Sequence, residues 1–306
     1  MRTTQGMDEF ARRTFLRVIE TGSITAAARD LDTDVSTVSR RIAALEARLG
    51  VQLLERGPKR SEPTAAGLRF YEGMRRLIDE QDALEAEVRG EAAVPRGLLR
   101  VACPTNLGEL HLTGWTIAFQ EQHPVLEVEL LLDDRYVDLR AANVDVAIRI
   151  GALSDSSLTA RRIGAMELGL YAAPRYLGQH APIRQPSDLS GHDFVLFSFL
   201  QAGDQIALAC DDGRTERIAM RSRLSINNVG AISHAVAYGA GVHAGPLWLF
   251  EPLRGQGVVE RVLPDWQAPL YPVHAVHNYG RKPPAKVRFF IDNLAANLAR
   301  LPGIVR

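Results

Sequence analysis

The stretch from Val35 to Leu49 constrains this chain more than any other. Val35, Val38, Ile42, Leu45 and Leu49 recur at helical spacing on one stripe, and Gly50 supplies a C-terminal stop. That stripe predicts a helix with one face in a core. The opposite arc holds Ser36, Thr37, Arg40, Ala43, Ala44 and Ala47. A merely solvated face would carry Glu and Lys there, whereas small residues let a helix lie close against another surface. Two further helical patterns come first. Ala11, Phe15, Val18 and Ile19 share a face, Thr21-Gly22-Ser23 breaks it, and Ile24, Ala27, Ala28 and Leu31 form the next. Ser23 is a natural N-cap for the second helix, and Thr33 or Asp34 for the third.

After the third helix, Val51–Arg56 and Ser61–Thr64 flank a basic turn, Gly57-Pro58-Lys59-Arg60, which predicts a hairpin. Hydroxyls and arginines in the N-terminal half of the third helix suit base edges and phosphates in a DNA major groove: Ser36, Thr37, Ser39, Arg40 and Arg41. Arg56, Lys59 and Arg60 of the hairpin suit phosphate or minor-groove contacts. The alternative is an ordinary three-helix bundle with an arginine-bearing surface. The tight second helix, short turn, patterned third helix and basic hairpin together weigh against it. Asp32 and Asp34 oppose phosphate, although Asp34 is tolerable as a helix cap.

A long helix is predicted from Thr64 to Gly90, with Leu68, Tyr71, Met74, Leu77, Ile78 and Leu84 on its apolar side. So isolated an apolar helix needs a partner. Glu91–Gly97 reads as a linker. Beyond it, short apolar runs alternate with helical stretches: Leu98–Ala102, Leu126–Leu132, Asp145–Ile150, Leu168–Ala172, Phe194–Phe197, Arg221–Ile226 and Val273–Val276. Such alternation implies βα units and mostly parallel sheets.

At 306 residues the chain has room for two or three domains. Its 36 basic and 36 acidic residues cancel, so nucleic-acid contacts must come from a local patch. Cys103 and Cys210 are the only cysteines, which excludes a disulfide framework and favours a reducing compartment. Met1–Phe10 lacks an apolar signal core and no run reaches membrane-span length, so a cytoplasmic protein without membrane contact is expected. The parts of an enzyme are missing. Gly239-Ala240-Gly241 follows a predicted helix and enters an apolar run, the reverse of a nucleotide-binding loop. No Gly-x-Ser-x-Gly turn occurs, and the eight histidines show no metal-ligand spacing. His274 and His277 read as structural. Neither catalysis, a metal nor a cofactor is expected. A thiol switch at Cys103 is disfavoured, because neither cysteine has a cluster of positive charge beside it.

The stretches Glu20-Thr21-Gly22-Ser23-Ile24-Thr25-Ala26-Ala27-Ala28, Val38-Ser39-Arg40-Arg41-Ile42, Leu45-Glu46-Ala47-Arg48-Leu49-Gly50, Leu53-Leu54-Glu55-Arg56 and Thr64-Ala65-Ala66-Gly67 resemble the N-terminal domain of LysR-type transcriptional regulators. The family usually has an aromatic where Ile24 stands. Asp138-Leu139, Asp145-Val146-Ala147-Ile148-Arg149-Ile150-Gly151, Asp155-Ser156-Ser157-Leu158 and Ala173-Pro174-Arg175-Tyr176-Leu177 resemble one large branch of that family.

The resemblance implies an α+β multidomain protein. A winged helix-turn-helix at 7–64 binds promoter DNA, and 65–96 forms a linker and dimerisation helix with a hinge. An effector-binding domain at 97–306 is two-lobed and α/β, similar to periplasmic binding proteins, with lobe I at about 97–165 and 268–306 and lobe II at about 166–267. A small-molecule effector, an organic acid or an aromatic, would sit between the lobes. On lobe I, Pro104, Thr105 and Asn106 follow the first strand and open a helix, a place for an anion unless Thr105 or Asn106 only caps it. Arg149 reaches a ligand carboxylate or serves as a buried ion-pair partner. On lobe II, Ser198 ends a strand and Asn227 and Asn228 follow another; Asn228 stands where this branch often has an acid. His243 is usually small or apolar in the family, and a satisfied structural histidine is the favoured reading over a ligand contact. The family also implies homodimers or homotetramers, contact with RNA polymerase, and lobe motion that respaces the DNA-binding heads.

Overall fold

Capping side chains mark out the first helices in the computed structural model of the chain, which describes residues 2–56, 61–88, 94–135, 137–139, 142–153, 158–199, 205–210 and 212–306. Helix α1 (Arg2–Thr21) ends at Gly22, whose φ of 65° turns the chain. Ser23 accepts the Ala26 N–H and starts α2 (Ile24–Asp30). Of the two candidate caps for α3 (Val35–Leu49), Asp34 fills the position, accepting the Thr37 N–H at 2.7 Å. Gly50, at φ 68°, ends α3 in the left-handed conformation. Strands β1 (Leu54–Arg56) and β2 (Ser61–Pro63) pair antiparallel, and α4 (Ala65–Val88) follows.

The chain divides into the units Met1–Ala93 and Val94–Arg306. The first is packed around Phe15, Val18, Val38, Ile42, Leu45 and Tyr71. Two residues of the expected α3 stripe fall outside this core: Val35 is 45% exposed and Leu49 37% exposed. They occupy the first and last positions of α3, which runs past a core only as wide as its central turns. Polar groups lock the hairpin to its neighbours. Glu46 Oε1 of α3 accepts the Leu53 and Leu54 N–H groups at 2.8 and 3.1 Å. Thr64 donates its hydroxyl to the Gln52 carbonyl at 2.8 Å and accepts the Gly67 N–H at 3.0 Å. At Gly67 the α4 backbone comes so close that a Cβ would lie 1.9 Å from the Leu53 carbonyl oxygen.

The second unit begins with β3 (Gly97–Cys103), α5 (Thr105–Leu107), a π turn (Gly108–Leu112), α6 (Thr113–Gln122), β4 (Leu126–Leu132), β5 (Val146–Ile150) and β6 (Thr159–Met166). The chain then leaves this first lobe. It forms β7 (Leu168–Ala172), α7 (Pro174–Leu177), β8 (Asp193–Phe197), β9 (Gln205–Cys210), β10 (Thr215–Ala219) and β11 (Arg221–Ile226). The second lobe is completed by α8 (Val229–Ala237), β12 (His243–Pro246), α9 (Leu247–Gly255), β13 (Glu260–Val262) and β14 (Trp266–Gln267). The chain returns to the first lobe as β15 (Tyr271–His277), α10 (Ala285–Leu298) and β16 (Ile304–Val305).

The first lobe's sheet has the order β16-β6-β15-β5-β3-β4. The expectation of mostly parallel sheets needs correction, because the sheets are mixed. β3 is parallel to β4 and β5, and β8 to β11. The returning strand β15 runs antiparallel to both β5 and β6, and the pairs made by β7 and by β9 are antiparallel as well. Parallel neighbours need a long crossover connection, which helices supply between β3 and β4 and the pair β9–β10 supplies between β8 and β11; β15 arrives from the other lobe and enters the sheet in the opposite sense. Two buried charged residues find partners across the fold: Asp145 accepts the Arg100 N–H at 2.8 Å and the Tyr279 hydroxyl, and Lys286 donates to the Leu98 carbonyl at 2.9 Å.

Candidate nucleic-acid interface and ligand cavity

Helix α3 turns Ser36, Arg40, Ala43, Ala44 and Ala47 to the surface, with Thr37, Ser39 and Arg41 half-buried beside them. The cap residue organises this face. Both Ser36 and Thr37 donate their hydroxyls to the Asp34 carboxylate, Thr37 at 2.7 Å, and these bonds hold that carboxyl well below the usual carboxylate range. Arg40 Nη2 in turn donates to Thr37 Oγ1 at 3.1 Å. Cap, hydroxyls and guanidinium therefore form one chain of hydrogen bonds along the exposed face. Arg41 points elsewhere: it donates to Thr14 Oγ1 at 3.3 Å, and its guanidinium lies 5.6 Å from the centre of the Phe10 ring, both on α1. Arg56 ends β1 opposite Ser61, while Lys59 and Arg60 lie outside the described residues.

In the second unit a cavity of about 1040 Å³ opens between the two lobes. Its wall is largely apolar, with Leu107, Met166, Phe197, Met220, Trp248 and Tyr271, and its polar groups include the cations Arg135, Arg149 and Arg217, the acids Asp133 and Asp134, and Asn106, Gln205 and His243. Of the residues singled out from sequence, Pro104, Asn106 and Arg149 line it. Arg149 donates to the Val137 carbonyl at 3.1 Å. Thr105, Ser198, Asn227 and Asn228 stand outside the wall, and Ser198 and Asn227 are exposed. The helix opening carries no side-chain cap: Pro104 takes the N-cap position, and the Thr105 N–H donates to Asp134 Oδ1 at 3.0 Å. Asn106 instead accepts the Gly230 N–H at 2.8 Å, and Asn228 caps α8 through the Ala231 N–H at 2.8 Å.

His243 sits at the junction of the cavity wall and the second lobe's core. Its Nδ1 lies 2.8 Å from the Val195 carbonyl oxygen. A carbonyl only accepts, so Nδ1 carries the proton and Nε2 is left as an acceptor. Burial holds the ring neutral, pushing its pKa down from 6.5 to about 4. His243 is thus a satisfied histidine that also borders the cavity. His277 is buried on β15, and burial lowers the pKa of both His274 and His277. Both cysteines are free thiols; burial, and next the Asp134 charge, raise the Cys103 thiol far above its ordinary range. Gly239 and Gly241 connect α8 to β12, a helix-to-strand order that does not cradle a pyrophosphate. Among the described residues no cluster of His, Cys, Asp or Glu is arranged for a metal, and no helix is long and apolar enough to cross a membrane.

Sequence reasoning passed over Asp134 and Arg217. Asp134 follows Asp133 in a turn, where acids read as turn formers. Arg217 lies on β10, an exposed strand whose pattern resembles a polar loop.

Residues 11–68 match the family described as bacterial regulatory helix-turn-helix protein, lysR family, and residues 92–299 match the LysR substrate binding domain. The chain is 34% identical over 281 residues to the HTH-type transcriptional activator AaeR of Escherichia coli strain K12, covering 92% of this chain and 90% of that protein. Among solved structures it is similar to full-length AphB, a virulence activator of Vibrio cholerae, at 30% identity and TM-score 0.56, covering 94% of this chain and 98% of AphB. It is also similar to CrgA, a LysR-type transcriptional regulator from Neisseria meningitidis, at 25% identity and TM-score 0.58, covering 94% of this chain and 97% of CrgA.

Proposed function

The chain belongs to the LysR family of transcriptional regulators, and from that membership we propose that an organic acid or aromatic molecule held between its two lobes controls its binding to promoter DNA. It is a regulator and not an enzyme, as its named relatives are. LysR-type regulators bind promoter DNA and small-molecule effectors and form oligomers; the finer assignments are ours.

One observation carries the effector reading: a cavity of about 1040 Å³ between the lobes, apolar over most of its wall and bordered by Arg149, Arg217 and the neutral His243, with Asp133 and Asp134 engaged by groups of the protein. An apolar body with one anionic or acceptor-seeking end matches such a lining. Of the residues the sequence offered for effector contact, we assign Pro104, Asn106 and Arg149, which line the cavity; Thr105, Ser198, Asn227 and Asn228 lie outside its wall, within the same proposed effector domain at 97–306.

On the DNA side, α3 enters the major groove. Ser36, Thr37, Ser39 and Arg40 reach base edges and adjoining phosphates, while Arg41, Arg56, Lys59 and Arg60 neutralise the backbone. Bound phosphates and bases replace the internal hydrogen bonds that Asp34 now receives. The head spans 7–64, and 65–96 joins it to a partner: α4 exposes Leu77 and Val88, apolar side chains that a second α4 would cover. Exposed Leu110 and Ile117 on the first lobe and Tyr238 on the second favour further pairing of effector domains into tetramers. We place the protein in the cytoplasm, in contact with RNA polymerase at its promoter. The effector works by binding one lobe arrangement more tightly than another.

The test is a thermal-shift screen of the full chain against aromatic carboxylates, aliphatic acids and uncharged aromatics, followed by mobility shift on promoter DNA. A compound that raises the Tm and changes DNA binding supports the reading. A panel in which no compound does either counts against it.

A further inference from the structure

We infer that Asp134 is a tethered ligand of the cleft: its carboxylate joins the first lobe to the second and occupies the place where a free carboxylate would be gripped. The inference rests on the reading of the cleft as the effector site and states what already fills one end of it.

The two oxygens of Asp134 are divided between the lobes. Oδ1 accepts the Thr105 N–H of the first lobe at 3.0 Å, and Oδ2 accepts the Asn228 side-chain amide of the second lobe at 2.8 Å. Asn228 is itself held, because its own oxygen accepts the Ala231 N–H at 2.8 Å and caps α8. A further bond crosses beside these in the same direction, from the Gly230 N–H of the second lobe to Asn106 Oδ1 of the first at 2.8 Å. The approach is close enough that a Cβ on Gly230 would meet Asn106 Nδ2 at 2.1 Å. Asp134, like Asn106, borders the cavity.

Two-lobed proteins close on an acid when each lobe offers it a donor and the closed state gains both bonds. Here both donors are present and the acid is part of the chain, in the turn after β4. Bonds to an ionised acceptor are about twice as strong as neutral ones, so the bridge favours the joined arrangement before any effector arrives. An acidic effector cannot use this pair of donors unless it displaces Asp134. An effector that changes the lobe angle must break or strain the bridge.

The experiment is chemical rescue in the full chain. Asp134→Ala should lower the Tm by roughly 3–8 °C. Sodium acetate should restore much of that loss, sodium chloride at equal ionic strength should not, and the wild type should respond to neither beyond their common salt effect. An unchanged Tm in Asp134→Ala, or an acetate response equal in wild type and variant, overturns the inference. Should Asp134→Ala fail to fold, the cycle of Asp134→Asn, Asn228→Ala and the double variant decides: strongly coupled Tm changes are expected, and additive ones overturn it. A wild type that answers no screened effector while acetate rescue holds would strike the effector reading and leave the bridge standing.

Discussion

Lowering the pH should loosen the effector unit through His243, and removing that histidine should flatten the response. The ring is buried and neutral, with its pKa pushed from 6.5 down to about 4 and Nδ1 bonded to the Val195 carbonyl at 2.8 Å. Between those values the unfolded chain binds a proton that the folded one refuses. The stabilisation is therefore complete above pH ~6.5 and is lost as the pH falls towards 4. From pH ~7.5 to pH ~5 the loss comes to about 2 kcal/mol, and it approaches about 3 kcal/mol below the folded value. For a unit of this size that is a Tm lower by roughly 4–8 °C at pH ~5. The control is His243→Gln, which keeps a donor for the Val195 carbonyl and does not titrate. Burial also lowers the pKa of His192 and His277, but these act equally in both proteins and cancel in the comparison. Scanning calorimetry of wild type and variant across this range reads the difference directly. A variant that loses as much Tm on acidification as the wild type would refute the reasoning, whatever its Tm at neutral pH.

Arg40→Ala should cost about 1–3 kcal/mol for each base it no longer reads and relax sequence preference, so a footprint identical to wild type would remove Arg40 from the reading face. Lys59→Ala should weaken binding to all sequences alike and reduce the salt slope by about one unit; a loss confined to one operator would contradict a phosphate role. Gly67→Ala should destabilise the DNA-binding unit by more than about 2 kcal/mol, because the new Cβ would stand 1.9 Å from backbone, at the Leu53 carbonyl oxygen, with no flexible side chain to yield. A variant of wild-type stability by denaturant titration would show that α4 can move away from the hairpin freely.

What could be read in the sequence is what short-range patterns encode. Ser23, Asp34 and Gly50 announce helix ends by local chemistry, and each does so in the structure. The apolar runs at Leu126–Leu132 and Leu168–Ala172 are strands with those same limits. Other elements depend on distant partners. β6 has exposed Ala160, Arg161 and Arg162 in its first half and a buried second half, so it shows no alternation; it is a strand because β15 lies against it. The direction of β15 is likewise set by a return from the other lobe. In the cleft, Thr105 and Asn106 stand out as polar residues at a helix opening, yet their partners are Asp134 and Gly230, 29 and 124 residues away. No spacing rule connects residues that far apart. A spare donor and a satisfied one look alike in one dimension, which is why the sequence marks a place for an acid without revealing that the chain brings its own.

The bonds from Glu46 to Leu53 and Leu54 and the close approach of Gly67 to Leu53 fasten α3, the start of β1 and the first turn of α4 to one another. Elements fastened this way move together more readily than apart. In the effector control we propose, a signal arriving along α4 carries them bodily, by translation or rotation. In the dimer we propose, the adjustable quantity is then the interval between two heads along the duplex. Such a dimer would act as a pair of calipers, whose jaws keep their shape while their separation changes.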